Sequence, residues 1–376
     1  MDKISQPLVT IIILNYNAGQ LLFDCCESIL KTDYSNFEII VVDNASMDGS
    51  HKKCKKKFEK IRLIENKENL GYCEGNNVGI QNAKGDFIVI LNPDTTVEPN
   101  WLSELLSVYN KYGEALYQPK HLSLNDKSVF MSAGNMMNVF GFGYAREKGK
   151  KDINQYNTVE QIGYASGTCL FAPSSVFKKV GLLDPFIFLY HDDLDLGWRA
   201  AQLGIKSYYV PTSIIYHAES YMLGWNSEKF FWLERNRKYC LQTHYSKDTY
   251  SKIHSTLMLV DLLVWLFYLS KGFLGSKIRA ELNIRKNREK ISERYKHLEQ
   301  LKEISDRDLI SSFPDAIYVP SNVTGKNISS VFNLFTYLKG QFEFILVISH
   351  LDIMRDMVDE IIEIQPNAGF SKIKYG

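Results

Sequence analysis

The chain has 376 residues, 45% hydrophobic and 13% aromatic, enough to bury one large core and leave residues over for appended pieces. Its 44 Lys and Arg nearly cancel its 43 Asp and Glu, so no global field favours a polyanion, and nucleic acid is not an expected partner. The six cysteines are scattered without a Cys-x-x-Cys pair, which removes zinc-ribbon and redox-motif readings and leaves reduced structural thiols.

Met1 to Pro7 is polar and leads straight into an apolar run, without the basic start and cleavage site of a signal peptide, so a cytoplasmic location is expected. Leu8 to Leu14 then reads as a β-strand, followed by an amphipathic helix over Gln20 to Lys31. Phe37 to Val42 is a second strand ending at Asp43, and Ser46, Asp48 and Ser50 offer caps for a helix through Phe58. Ile61 to Ile64 gives a third strand, Glu74 to Ala83 a helix, and Phe87 to Leu91 a fourth strand. This alternation predicts an α/β fold with a mainly parallel sheet covered by helices on both faces.

Ligands of such sheets lie beyond the carboxyl ends of the strands. Asn15, Tyr16 and Asn17 follow the first strand, Asp43 and Asn44 the second, and Asn92-Pro93-Asp94-Thr95 the fourth. Taken alone, that last tetrapeptide reads as readily as a proline turn with Asp94 as a local cap. In Tyr190-His191-Asp192-Asp193-Leu194-Asp195, three carboxylates in four positions repel one another and need a cation, a helix N-terminus or a substrate nearby. His217 follows a β-like run, Ser207 to Val210 and Ile214 to Tyr216; a lone histidine there is more often structural than a ligand.

Together these stretches resemble family 2 glycosyltransferases of the GT-A fold, in particular rhamnosyltransferase-like and galactofuranosyltransferase-like members. The resemblance runs from about Pro7 to Tyr245. It rests on Val9 to Asn17, Ile40 to Ser50, Glu68 to Tyr72 with Gly75-Asn76-Asn77, Leu91 to Asp94, Ala165 to Cys169, Asp192 to Arg199, and His217.

The resemblance implies an inverting transfer of sugar from a UDP- or dTDP-sugar to a glycan or lipid-linked acceptor. Asp43 matches the carboxylate that accepts from the pyrimidine base, and Asn15, Tyr16 and Asn69 line the nucleotide pocket. Asp94 matches the last acid of the family's Asp-x-Asp motif, with Asn92 where many members carry the first, so the metal site is one charge poorer. Asp94 and His217 would hold Mg²⁺ or Mn²⁺, which neutralises the departing diphosphate. Asp193 matches the base that takes the acceptor's proton. Asp192 and Asp195 are expected at the acceptor, with Trp198 and Arg199 packed behind them.

Three regions are expected: a GT-A catalytic domain over 1–245, a helical and charged linking region over 246–312, and a small α/β appendage over 313–376. Leu257 to Leu269 is shorter than the roughly 20 apolar residues of a spanning helix and is broken by Asp261, leaving an interfacial helix or a core helix as readings. The interfacial reading, together with Arg235-Asn236-Arg237, resembles the membrane-associated stretch of the family and would put the protein at the cytoplasmic face of the membrane. Arg279 to Glu303 reads as a solvated helix or linker without chemistry.

Phe344 to Leu351 with His350 resembles the closing segment of chromosome-maintenance and break-repair ATPases. No Gly-x-x-x-x-Gly-Lys-Ser/Thr loop exists, so ATPase activity is not expected, and His350 is read as structural. The alternative to an enzyme is an inactive sugar-nucleotide-binding scaffold, for which Asn92 and the foreign C-terminus speak.

Overall fold

The computed structural model describes residues 6–218 and 226–312, together with the backbone of 362–367 and 370–375. It separates into two units, Met1–Pro314 and Asp315–Gly376.

In the first unit the strands β1 (Val9–Asn15), β2 (Phe37–Asp43), β3 (Ile61–Glu65) and β4 (Phe87–Leu91) alternate with helices α1 (Gln20–Ile29), α2 (Ser50–Lys57) and α3 (Gly71–Asn82). β1 pairs in parallel with both β2 and β4, and β2 with β3, as the alternation predicts. β1 is apolar without interruption from Ile11 to Leu14 because both its faces are covered. Ile11 and Ile13 face one core with α1, while Ile12 faces the other with α3.

Helix α3 starts three residues before the predicted Glu74. Gly71 opens it at φ +79, and Asn69 Oδ1 accepts from its N–H, a start that apolar periodicity does not reveal. Helix α1 stops at Ile29, short of the predicted Lys31.

After β5 (Thr95–Val97) and α4 (Trp101–Tyr112) the chain extends the sheet with β6 (Leu116–Ser123), β7 (Phe130–Ser132), β10 (Glu160–Ile162), β11 (Cys169–Pro173) and β12 (Ser207–His217). A separate pair, β8 (Asn135–Met137) and β9 (Gly143–Ala145), lies beside it, and α5 (Ser174–Val180) and α6 (Asp192–Gln202) follow β11. The sheet order is β10-β12-β6-β11-β4-β1-β2-β3, with β5 added on β12 and β7 on β6.

Two crossings in this order build the site. β11 runs antiparallel to β4 with Cys169 opposite Leu91, which carries Ser166 to Thr168 to the end of β4. β12 bulges between Val210 and Ile214 around Pro211, then continues to set His217 opposite Thr95.

Residues 246–312 are not a linking region. Helices α8 (Lys247–Lys252), α9 (His254–Ser270), α10 (Leu274–Lys286), α11 (Arg288–Leu301) and α12 (Asp306–Ile310) belong to the first unit, and α10 and α11 pack on α7 (Ser227–His244). The boundary drawn at 245 therefore falls inside one compact body. The charged run from Arg279 takes the helical alternative and buries Ala280, Ile284, Ile291 and Leu298. Composition conceals this, because one apolar stripe is enough to dock a helix that is otherwise charged.

In α9, Leu257, Val260 and Tyr268 are buried while Met258, Leu262, Leu266 and Leu269 are exposed along the opposite face. No helix among the described residues is long and apolar enough to cross a membrane. In the second unit, β13 (Ile362–Asn367) and β14 (Phe370–Tyr375) form an antiparallel hairpin. His350 and the rest of the ATPase-like segment lie outside the described residues.

Candidate active site

A cavity of about 430 Å³ opens at the carboxyl ends of β1 and β4, where the order of strands reverses. Tyr16, Asn69, Asn92, Asp94, Asp192, Asp193 and His217 all line it, so seven of the predicted residues are brought to one place from five separate segments.

Asp94 and His217 are 123 positions apart in sequence, yet His217 Nε2 lies 3.1 Å from Asp94 Oδ2. The pairing of β5 with β12 makes this contact, and Ala218 N donates to Asp94 O to close it. Asp94 is 5% exposed, and its second oxygen, Oδ1, is buried with no hydrogen-bond partner in the protein. A buried carboxylate oxygen left unpaired is costly, and a divalent cation would satisfy it. One carboxylate and one imidazole would suit Mg²⁺ or Mn²⁺, which favour oxygen and nitrogen donors and would draw further oxygen ligands from a diphosphate and water.

Asp193 sits in the first turn of α6, where helix amides favour negative charge. Its Oδ2 accepts from Gly167 N at 3.0 Å and its Oδ1 from Leu194 N at 2.8 Å. Burial lifts its pKa above the ordinary carboxyl value, and the two amide bonds oppose that rise. Asp192 is raised well above its ordinary value, first by burial and then by the charge of Asp193.

A side chain at Gly167 would crowd the site and displace one of two side-chain ends. A Cβ there would meet Tyr72 Oη at 2.8 Å and Asp192 Oδ2 at 3.0 Å. Tyr72 Oη donates to Gly167 O at 2.5 Å, tying the segment to α3.

Three predicted residues do not line the cavity. Asn15 is fully buried, and its amide donates to Asp43 Oδ1 at 2.7 Å. Both oxygens of Asp43 are engaged, since Oδ2 accepts from Ser46 N and His51 Nδ1 stands 3.3 Å from Oδ1. These residues form a layer beneath the cavity floor, under Tyr16 and Asn44.

Asp195 is the clearest departure from the acceptor expectation. It is 0% exposed, paired with Arg199 at 2.8 Å and with His244 Nε2 at 2.9 Å. Burial opposes its ionisation, but Arg199 and His244 overcome that and hold its pKa far below the ordinary value. Asp192 and Asp195, three residues apart, lie only about 60° apart around α6, so the burial of Asp195 comes from α7, whose His244 packs against it. Trp198 stacks on His244 at 4.7 Å in the same layer.

Asn44, at the end of the second strand, lines the cavity wall as its position suggests, while sequence reasoning missed Tyr164 on that wall and His121 near His217. His121 is buried on β6 opposite Ile215, on the same sheet face as His217, with Nε2 lacking a partner. No motif marks it; only the β6–β12 register does.

Residues 10–181 match the family described as Glycosyl transferase family 2. The chain is 25% identical over 239 residues to N-acetylglucosaminyl-diphospho-decaprenol L-rhamnosyltransferase of Mycobacterium tuberculosis, covering 58% of this chain and 78% of that one. The chain is a glycosyltransferase.

The low-salt glycan biosynthesis hexosyltransferase Agl10 of Haloferax volcanii is 26% identical to this glycosyltransferase over 216 residues, 54% of this chain and 66% of that protein. The crystal structure of GalNAc-T7 with UDP, GalNAc and Mn²⁺ matches its fold with a TM-score of 0.57 at 16% identity, covering 82% of this chain and 58% of that one. The glycosyltransferase thus has the expected GT-A arrangement, a mainly parallel sheet flanked by helices.

Proposed function

We propose that the protein transfers a sugar from a UDP- or dTDP-sugar to a glycan or lipid-linked acceptor with inversion at the anomeric carbon. The observation that carries this reading is the shared cavity: the Asp193 carboxylate lines the same space as the Asp94–His217 pair.

Tyr16, Asn44 and Asn69 receive the nucleotide, and Asn15 and Asp43 support that pocket from beneath. Asn92 offers its amide to the sugar or ribose. Asp94 and His217 hold Mg²⁺ or Mn²⁺, which when bound neutralises charge on the diphosphate. Asp193 takes the proton from the acceptor hydroxyl as that oxygen attacks the anomeric carbon, and Asp192 orients the acceptor beside it. Gly167 N and Leu194 N keep both Asp193 oxygens aimed while leaving lone pairs for that proton.

The curated relative from Mycobacterium tuberculosis is named for a decaprenol diphosphate acceptor, which supports a lipid-linked acceptor here. The bare apolar face of α9 supports peripheral contact with a membrane interface: Met258, Leu262, Leu266 and Leu269 recur at helical spacing, bounded by Lys252 and Lys271. The scaffold alternative draws on Asn92, which removes one acid but leaves Asp94, His217 and Asp193 in the cavity.

A pH profile tests the role of Asp193. As a base it must be ionised, and burial raises its pKa, so kcat/KM falls on acidification at a higher pH than an exposed carboxyl near about 4 would give. Steady-state rates between about pH 3 and about pH 8 would check this, a range that extends to both sides of that reference. An acidic limb at or below that reference would argue against a buried carboxylate base.

A further inference from the structure

The segment Phe186 to His191, immediately before the acidic cluster, follows a path that its side chains disfavour. Phe188, Tyr190 and His191 have φ of 61°, 64° and 63°, in the left-handed region that bulky residues rarely adopt. The His191 carbonyl is taken up by α6, where Asp195 N donates to it at 2.8 Å, but the carbonyls from Phe186 to Tyr190 belong to no strand or helix, so something else must hold them.

Two side chains of α7 do. Asn236 Nδ2 donates toward Ile187 O, Leu189 O and Tyr190 O at 3.1, 2.7 and 2.8 Å. Arg235 donates to Phe186 O at 2.5 Å and to Ile187 O at 3.2 Å. Both residues are buried, at 0% and 3% exposure. The Arg235 guanidinium lies between the rings of Phe186 and Trp232, 4.5 and 4.6 Å from their centroids. Its hydrogen bonds go to carbonyl oxygens, and burial lowers its pKa to about 10. Burying a charge for the sake of loop carbonyls is expensive, and it fixes a shape that the loop would not keep alone.

The far side of the loop is fixed as well. Tyr72 N donates to Phe188 O at 2.6 Å, and the Phe188 ring presses on Gly71, where a Cβ would come within 2.4 Å of it. Tyr190 and His191 then lead directly into Asp192 and Asp193.

We propose that Asn236, assisted by Arg235, is a positioning residue for transfer: the two clamp the carbonyls of the 186–191 loop, and the loop in turn aims the carboxylate of Asp193. This rests on the reading of Asp193 as the base. Neither side chain lines the cavity, so neither touches the substrate.

The test uses the full-length chain with Mn²⁺ and a UDP-sugar that it turns over, and measures Asn236→Leu, similar in volume and without donors. The variant should bind UDP with a dissociation constant within about two-fold of the wild type, while kcat falls roughly 10- to 100-fold from misplacement of the base. Placed in an Asp193→Asn background, the same change should alter the residual turnover by no more than about two-fold, because the group it positions is already disabled.

If Asn236→Leu does not fold, Arg235→Lys, which keeps the charge and loses the planar fork, is read by the same two measurements. An unchanged kcat, a loss that appears as weaker UDP binding, or an equal loss in both backgrounds would overturn the proposal. Wild-type turnover by Asp193→Asn alone would instead overturn the base reading itself, and is seen before Asn236 is altered.

Discussion

Asp193→Asn is expected to lower kcat by about 10³-fold, inside the 10²- to 10⁴-fold range of a positioned proton acceptor. Its dissociation constant for a UDP-sugar should stay close to that of the wild type. The amide keeps the shape of the carboxylate but has no basic lone pair for the acceptor's proton. It also retains one oxygen where the carboxylate has two, so only one of the bonds from Gly167 N and Leu194 N survives. Loss of the α6 start is not expected, because Asp192 N and the rest of the first turn are unchanged. Parallel titration calorimetry and initial-rate measurements check both halves. Wild-type turnover by this variant would remove Asp193 from the chemistry.

The second large effect belongs to the metal pair. Asp94→Ala should reduce kcat by about 10²- to 10³-fold, the scale of removing a group that stabilises charge in a water-poor site. It should also abolish the tightening of UDP binding by Mn²⁺. His217→Ala removes one of two protein donors and leaves Asp94, so the concentration of Mn²⁺ for half-maximal rate rises while activity at saturating metal is partly kept. Dialysis against EDTA should stop the wild-type protein, and Mn²⁺ or Mg²⁺ should restore it. Full activity after exhaustive chelation would contradict the assignment of Asp94 and His217.

The sequence made the first half of the fold legible because β1, β2 and β4 are apolar on both faces and end in polar residues, a pattern that periodicity reads directly. The cavity residues after those strands were legible for the same reason: their position at a strand end is local information. His217 was not, beyond the family likeness, since its place beside Asp94 depends on a bulge in β12 and a three-residue strand, β5.

Asp195 shows the opposite failure. In sequence it is one more acid in a run with Asp192 and Asp193, and nothing local distinguishes it. Its partners are Arg199, one turn on, and His244, forty-nine residues away on α7, so its burial is decided by tertiary packing. Asp43 likewise ends a strand in the expected place, but Asn15, Ser46 and His51 take up its oxygens. The helices α10 and α11 were obscured by charge: an exposed face rich in Lys, Arg and Glu hides the few apolar positions that dock on α7.

The central claim is a single in-line displacement with Asp193 as the base, and the anomeric configuration of the product tests it most directly. Proton NMR of the glycoside formed from a UDP-sugar of known configuration should show the opposite configuration at the transferred carbon. A product that keeps the donor's configuration would contradict the account.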